Sequence, residues 1–209
     1  MSRSRFWPRT SELDALIAAA RNGSPGAVGK LLASCRDYLL LVANHELGRD
    51  LQGKIGASDL VQETFVEAQR CFVQFQGASQ SELLGWLRQI LMRQVLGVRR
   101  YYGTVKRDIS LERSCSSDSA IQQAVESLPC GEQTPEHGIS AAEDATVLCR
   151  ALDSLPDDYR QVIALRYWEN LDFDEIGQRM GRSAAAARKL WLRAVERLEL
   201  GGGLGNFEP

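Results

Sequence analysis

The stretch that decides the fold runs from Asp172 to Leu198 and reads DFDEIGQRMGRSAAAARKLWLRAVERL. It opens with a capping-box pattern, because Asp172 can cap a helix whose third residue, Glu175, reaches back to it. Gly181 is typical of a residue that ends a helix, and Ser183 of one that begins the next. The pattern predicts a short helix, a turn of about three residues and a long helix, which together form a helix-turn-helix.

The long helix of this motif has two distinct faces when its residues are placed ~100° apart. Its apolar face comprises Ala187, Leu190, Trp191, Ala194, Val195 and Leu198. Its exposed face comprises Arg182, Ala186, Lys189 and Arg193. A helix that enters the major groove of DNA needs such an apolar back, slim front and cationic flanks. An ordinary helical hairpin with a basic surface is the alternative interpretation.

Charge is distributed unevenly along the 209 residues, although the net charge at pH 7 is only −2. Positions 83–107 hold six basic residues and no acidic one, and positions 179–197 hold six basic and one acidic. The positions between them, 108–178, hold fifteen acidic and four basic residues. Two basic segments around an acidic one indicate contact with nucleic acid, with solvated helix faces as the alternative.

The cysteines and histidines form no recognisable metal or disulfide motif. The five cysteines include no CxxC pair, and their number is odd; they are Cys35, Cys71, Cys115, Cys130 and Cys149. We therefore expect no metal, no cofactor and no disulfide framework, and a reducing cytoplasm fits best. No apolar run approaches the ~18 residues that a membrane span needs, so we expect no membrane insertion.

Helical periodicity dominates the N-terminal half. We expect a first helix from Ser11 to about Asn22 and a second that begins at Ser24-Pro25 and runs to about Gly48. Ser58 is expected to cap a third helix with an apolar stripe.

A fourth helix is expected from Ser81 to about Gly103, after a polar loop at 76–80. Its leucines, isoleucine and valines occupy one arc of the helical wheel. The opposite arc carries Arg88, Arg93, Arg99 and Arg100. One side of this helix can therefore enter a bundle while the other presents guanidinium groups to solvent or phosphate.

The periodicity stops between the two halves of the chain. Positions 108–141 are acidic and polar, which indicates a flexible linker. Periodicity returns at about Ala142, and the glycines from Gly201 onward begin a tail, 201–209, that we expect to be disordered. The sequence thus predicts an all-α fold of two small helical domains, an N-terminal helical bundle at 10–107 and a C-terminal helix-turn-helix domain at 142–200.

The C-terminal segment resembles a known family. Leu155–Tyr167 looks like the "LP…R.vi.LRy" opening of the C-terminal domain of sigma factors, the proteins that lend RNA polymerase its promoter recognition. Asp174–Gly177 and Gly181–Ser183 resemble that domain's helix-turn-helix, and Arg193-Ala194 resembles a pair late in its recognition helix.

The N-terminal half carries an independent resemblance to the same family. Asp59–Phe65 reads DLVQETF, which is very close to the signature of its N-terminal domain. Trp86-Leu87, followed by Ile90, resembles the start of its DNA-contacting helix. The small group with only these two domains, the extracytoplasmic-function (group IV) sigma factors of the sigma-seventy class, is the best match.

The resemblance implies binding roles for several side chains. It implies contact with core RNA polymerase through Asp59, Gln62, Glu63 and Val66. It implies contact with the −10 promoter element, beside a loop at 76–81 that holds a flipped base, through Trp86, Arg88, Arg93, Gln94, Arg99 and Arg100. It implies contact with the −35 element through Arg182, Ser183, Ala186, Arg188, Lys189 and Arg193.

The family pattern is not matched everywhere. Members often carry polar residues where Ala184, Ala186 and Leu190 stand, so −35 recognition would lean on phosphate contacts and DNA shape.

The predicted function is therefore that of a sigma factor. It would bind core polymerase and promoter DNA, and the resemblance also admits an anti-sigma factor as a partner. A stand-alone helix-turn-helix regulator and a helical protein-binding adaptor are the alternatives. No catalytic constellation is recognisable in the sequence, so we do not expect an enzyme.

Overall fold

The computed structural model describes residues 10–24, 26–108 and 135–201, with side chains except at 10, 11, 49, 50, 103–108 and 135–140. Every regular element in these ranges is helical, which confirms the all-α class. None of the helices in the described ranges has the length and apolarity required to cross a membrane. Apart from their ends, the predicted linker and tail lie outside the described residues.

The N-terminal bundle is built from five α-helices. They are α1 (Thr10–Arg21), α2 (Ala27–Ser34), α3 (Arg36–Gln52), α4 (Ala57–Cys71) and α5 (Gln80–Asp108), with a 3-10 turn (Phe72–Gln74) after α4. Helix α4 contacts α2, α3 and α5, and α1 contacts α2 and α5. Leucines that are fully buried on three of these helices, such as Leu39, Leu60 and Leu87, form the centre of the bundle.

The C-terminal half consists of four further helices. They are α6 (Pro135–Ser154), α7 (Asp157–Tyr167), α8 (Phe173–Met180) and α9 (Ala184–Leu200). Helix α9 contacts α6, α7 and α8, so it is the central element of this half.

Four helix boundaries differ from the sequence prediction. The predicted second helix is divided at Cys35, whose backbone ends α2 and precedes α3. Helix α4 begins one residue before Ser58, after Gly56, so Ser58 lies in the first turn and is not the cap. Helix α5 begins at Gln80, because Ser79 accepts a hydrogen bond from Glu82 N at 3.4 Å in place of the predicted cap Ser81. Helix α6 begins at Pro135, seven residues before the predicted onset, since proline is well tolerated in a first turn.

The buried apolar residues of both halves belong to one continuous core. The connection runs mainly through α5 and α6, which contact each other along their lengths, and through α3 and α7. The division of the chain into two domains stays a prediction.

Candidate nucleic-acid interface

The helix-turn-helix forms as its sequence predicts. Glu175 N donates to Asp172 Oδ1, and Asp172 N donates to Glu175 Oε2, each at 2.9 Å, which completes the capping box. Gly181 ends α8 with a φ of 64°, in the left-handed region that glycine adopts without strain. Ser183 Oγ then accepts from Ala186 N at 3.2 Å and caps α9. Hydrogen bonds thus fix the end of α8 and the start of α9, which are the two helix ends joined by the turn.

Gly177 sets the close approach of α8 to the turn. A β-carbon at this position would lie 2.7 Å from the carbonyl oxygen of Arg182 and 3.1 Å from Ala184 N. No larger residue fits unless the turn moves.

The apolar face of α9 is buried and its basic face is exposed. Ala187, Leu190, Ala194, Val195 and Leu198 are buried, while the Trp191 ring lies partly buried against those of Phe173 and Tyr167. Of the residues predicted to contact the −35 element, the exposed ones are Arg182, Ser183, Arg188, Lys189 and Arg193, and Ala186 is half-buried. Arg182 forms an ion pair with Asp158 at the start of α7. The Ser183 hydroxyl accepts the capping bond through its oxygen, so its hydrogen is still available for donation to a phosphate.

The outer face of α4 carries the predicted polymerase-binding residues. Asp59, Gln62 and Glu63 are exposed, and Val66 is 46% exposed although it is apolar. The opposite face, which includes Leu60, Val61, Thr64 and Ala68, is buried. Partial burial, followed by the charge of Asp59, raises the pKa of Glu63. The α4 face thus combines adjacent carboxyl groups with an exposed apolar side chain, and such an acidic patch complements a basic surface on a protein partner.

The arginines of α5 differ in their environments. Arg99 and Arg100 are exposed, and Arg93 is half-buried. Arg99 Nη2 donates to the carbonyl oxygen of Glu46 and lies 3.5 Å from Glu46 Oε2. The Arg88 side chain is only 15% exposed and lies 3.4 Å from Asp144 Oδ2 of α6.

Two residues predicted to contact the −10 element are buried in this structure. Trp86 is 6% exposed, with its ring centroid 5.1 Å from that of Phe75 and 6.3 Å from that of Phe72. Gln94 is 3% exposed, and its Oε1 accepts from the Thr64 hydroxyl at 2.8 Å. In this structure Trp86 fills an aromatic cluster and Gln94 ties α4 to α5, and their contact with the −10 element stays a prediction.

Sequence reasoning missed Glu82, which organises the loop before α5. Its Oε2 accepts from Ala78 N and Ser79 N at 2.9 Å each and from Ser79 Oγ at 2.6 Å. These bonds, led by the one from the Ser79 hydroxyl, lower the pKa of Glu82. The signal was available, because Ser79 and Glu82 have the same spacing as the capping box of α8.

The cysteines that the structure describes, Cys35, Cys71 and Cys149, lie outside both surfaces. Cys35 and Cys149 are free thiols, and burial raises the pKa of each to about 12, so they are protonated and behave as small apolar side chains. Cys71 is disulfide-bonded, and this single bond does not amount to the disulfide framework whose absence the sequence predicts. Rules based on cysteine spacing detect sets of closely spaced cysteine pairs, and a single disulfide leaves no such pattern. Within the described ranges, no group of three or more His, Cys, Asp or Glu side chains could hold a metal ion.

Comparison with known proteins agrees with this geometry. Residues 147–198 match the family model described as "Sigma-70, region 4", and they span the end of α6 through α9. Over 143 residues the chain is 28% identical to the ECF RNA polymerase sigma factor SigM of Bacillus subtilis, covering 68% of this chain and 77% of that protein.

The chain spans half or less of the length of two further relatives. The ECF RNA polymerase sigma factor SigE of Mycolicibacterium smegmatis is 28% identical over 68% of this chain and 50% of its own length. The probable RNA polymerase sigma factor RfaY of Xanthomonas campestris is 30% identical over 84% of this chain and 40% of its own length.

These matches reach beyond the helix-turn-helix, since each covers at least two thirds of the chain. The exposed basic face of α9, the family match over α6–α9 and the relatives agree on one family. The chain belongs to the sigma-70 family of RNA polymerase sigma factors, in its extracytoplasmic-function group.

Proposed function

We propose that this chain binds core RNA polymerase through the α4 face and directs it to promoters that carry −10 and −35 elements. The N-terminal bundle, 10–107, supplies polymerase and −10 contacts, and the C-terminal domain, 142–200, supplies −35 contacts. The chain acts in the cytoplasm with the polymerase and performs no chemistry of its own. An anti-sigma factor is a further partner that the family suggests.

The α4 face is the proposed polymerase contact, and it consists of Asp59, Gln62, Glu63 and Val66. Carboxylates at an interface select a basic partner surface and speed its association. Val66 would supply an apolar contact next to the carboxylates. This assignment is supported by the exposure of all four residues on a helix whose opposite face is buried.

The basic faces of α5 and α9 are the proposed DNA contacts. Arg88, Arg93, Arg99 and Arg100 would hold the phosphates of the −10 element, while the loop at 76–81 would receive a base. The −35 element would be held by Arg182, Ser183, Ala186, Arg188, Lys189 and Arg193. The alanines of α9 offer no hydrogen-bond donors beyond the backbone, so phosphates and DNA shape would carry most of this second contact.

Polymerase binding makes two weak DNA contacts effective. Each basic helix offers only a few cationic side chains, which is too few for tight specific binding alone. Once both halves are held on one polymerase, the second contact becomes intramolecular and gains a high effective concentration. Recognition of paired promoter elements then follows without any catalytic residue in this chain.

The single observation that carries the proposal is an exposed acidic-apolar face on α4 in the same chain as a helix-turn-helix with an exposed basic face. The Asp59→Arg/Glu63→Arg double variant should bind core polymerase at least ~10-fold more weakly, since it reverses the charge at the contact. Binding is measured by fluorescence anisotropy of the labelled chain with core polymerase.

The matched control is Glu143→Arg/Asp153→Arg, which changes the net charge equally at two exposed positions of α6. It should leave polymerase affinity unchanged. Equal affinity of both double variants, with folding verified by circular dichroism, would contradict the α4 assignment. DNA binding by the wild-type chain without any polymerase association would favour a stand-alone regulator.

A further inference from the structure

A cavity of about 550 Å³ lies between the N-terminal bundle and the C-terminal helices. It is bordered by α3 and the start of α4 on one side, and by the end of α7 and part of α9 on the other. Its volume is in the range of pockets that bind small molecules, about 300–1,000 Å³. The cavity can therefore enclose a ligand of about the size of a nucleotide.

The bundle side of the cavity forms where α3 is interrupted. Gly48 lies inside α3 with φ 58° and ψ 166°, a conformation that glycine adopts far more readily than other residues. The carbonyl oxygen of Asn44, four residues earlier, accepts from Gln52 Nε2 at 2.8 Å. All three residues line the cavity, so this wall offers amide groups for hydrogen bonding.

The lining of the cavity is positively charged. Arg36, at the start of α3, and Arg166, near the end of α7, both line it, and none of its described lining residues is acidic. Arg166 Nη1 donates to the Leu171 carbonyl oxygen at 2.8 Å, which holds this guanidinium group in place. A guanidinium group has several further N–H donors, so it can bind an anion as well. Two arginines without a carboxylate favour an anion, and arginine binds phosphate by paired hydrogen bonds.

The start of α4 adds backbone donors to the same wall. Gly56, Ala57 and Ser58 line the cavity, and no side chain caps the first amides of this 15-residue helix. Amides at a helix N-terminus point toward an anion, and the helix dipole favours negative charge there. Together with the two arginines, this helix end favours phosphate as the anionic part of a ligand.

Aromatic rings form the opposite wall, and the protein holds them in place. Trp168 lines the cavity, and its Nε1 donates to the carbonyl oxygen of Asp37 at 3.0 Å. Trp191 also lines it, with its ring centroid 5.7 Å from that of Phe173. Fixed aromatic rings stack with the planar bases of nucleotides. The cavity thus combines groups that bind phosphate with groups that bind a base.

We propose that this cavity binds a free nucleotide. Arg36, Arg166 and the start of α4 bind its phosphates, and its base stacks against Trp168 and Trp191. A bound nucleotide joins α3 and α4 to α7 and α9, because these groups come from both halves of the chain. The site does not depend on the proposed promoter contacts, since none of its described lining residues belongs to those sets.

Isothermal titration calorimetry of the full chain tests the site, with ADP and GDP as probes. Each nucleotide should bind at least about ten-fold more tightly than its nucleoside, which lacks the phosphates, or inorganic pyrophosphate, which lacks the base. Pyrophosphate that binds as tightly as the nucleotides would mean an adventitious anion only and would overturn the proposal. Absence of binding by either nucleotide at about 1 mM would also overturn it.

Arg36→Gln should weaken ADP binding about ten-fold, because it removes one charged hydrogen-bonding group from the phosphates. The matched control is Arg150→Gln, which removes the same charge at an exposed position of α6 outside the cavity lining. The control should bind ADP as the wild type does. Equal losses in both variants would reduce the effect to net charge and would contradict the site.

A second variant changes the cavity without straining the backbone. Asn170 lines the cavity and has a φ of 53°, which glycine adopts readily, so Asn170→Gly removes only the side-chain amide. This variant should melt close to the wild-type temperature and bind ADP a few-fold more weakly. Wild-type affinity for ADP in both Arg36→Gln and Asn170→Gly would place the ligand elsewhere and overturn the proposal.

A strand of nucleic acid presents the same chemistry as a free nucleotide, and a DNA hexanucleotide of mixed sequence distinguishes the two. Arg36→Gln should bind the hexanucleotide as tightly as the wild type does, because the proposed DNA faces lie on α5 and α9. Loss of hexanucleotide binding with unchanged ADP binding would assign the cavity to a nucleic-acid strand, and the free-nucleotide proposal would be overturned.

Discussion

At the scale of single side chains, Gln94 of α5 is a polar residue that was predicted to contact DNA and that is buried in the bundle. Gln94 occurs two residues before an exposed leucine and one after a half-buried arginine, so periodicity alone does not place it inside. Its amide is satisfied inside the bundle by Thr64, thirty positions earlier, whose hydroxyl donates to Gln94 Oε1 at 2.8 Å where α4 and α5 meet. The sequence pattern does not show which distant helices pack against each other.

Gln94→Ala should destabilise the protein without a specific effect on DNA binding. The variant leaves a cavity and removes one of the two acceptors of the Thr64 hydroxyl, the other being the Leu60 carbonyl oxygen, so the free energy of unfolding should fall by about 1–3 kcal/mol. Urea denaturation followed by circular dichroism measures this change. Arg93→Ala is the control, with a change within about 0.5 kcal/mol. A stable Gln94→Ala protein that has lost DNA affinity would return this residue to the DNA-contacting set.

The stability that Glu82 gives to the loop at 76–81 depends on pH. Its pKa is lowered in the folded state, so its carboxylate contributes stability above the ordinary value of 4.5, and this contribution is lost as pH falls below that value. At neutral pH, Glu82→Gln should lower the melting temperature slightly, by the equivalent of at most about 1 kcal/mol, because the site is exposed. Near pH 3.5 the difference from the wild type should shrink. A difference that stays constant across this range would contradict the hydrogen-bonded role of the carboxylate.

At the scale of elements, the helix-turn-helix could be predicted from sequence because each of its boundaries is set by adjacent residues. Asp172, Glu175, Gly181 and Ser183 act within one turn of their own positions, and all four have the predicted roles. The start of α6 at Pro135 was not predicted, since its first turns lie in a polar segment without an apolar stripe. A long helix stabilised elsewhere along its length can extend into such a segment.

Gly177→Ala tests the close approach that defines this motif. The added methyl group would meet the carbonyl oxygen of Arg182, so the turn must shift or the motif loses about 1–3 kcal/mol of stability. Thermal melting and binding to a mixed-sequence duplex measure the two effects, and both should weaken. Gly29→Ala provides the control in open space. A variant with unchanged melting and binding would mean that α8 and the turn are not fixed as described.

At the scale of the whole molecule, the family and the helical class were predictable, but the contact between the halves was not. Sequence periodicity marks α5 as half apolar and half basic, and it gives no sign that Gly85 accepts another helix. Helix α6 lies about fifty positions later, and only a three-dimensional arrangement brings Ala142 against Gly85. The basic side of α5 is therefore shared between an intramolecular contact and the proposed DNA site.

The measurement that tests the central claim most directly is transcription by core polymerase and this chain from a library of randomised promoters. Active templates should share two sequence blocks about 25 base pairs apart, and the Asp59→Arg/Glu63→Arg variant should yield few transcripts. Transcripts no more frequent than with core polymerase alone would contradict the account. Enrichment of a single palindromic block, unaffected by the α4 variant, would contradict it as well.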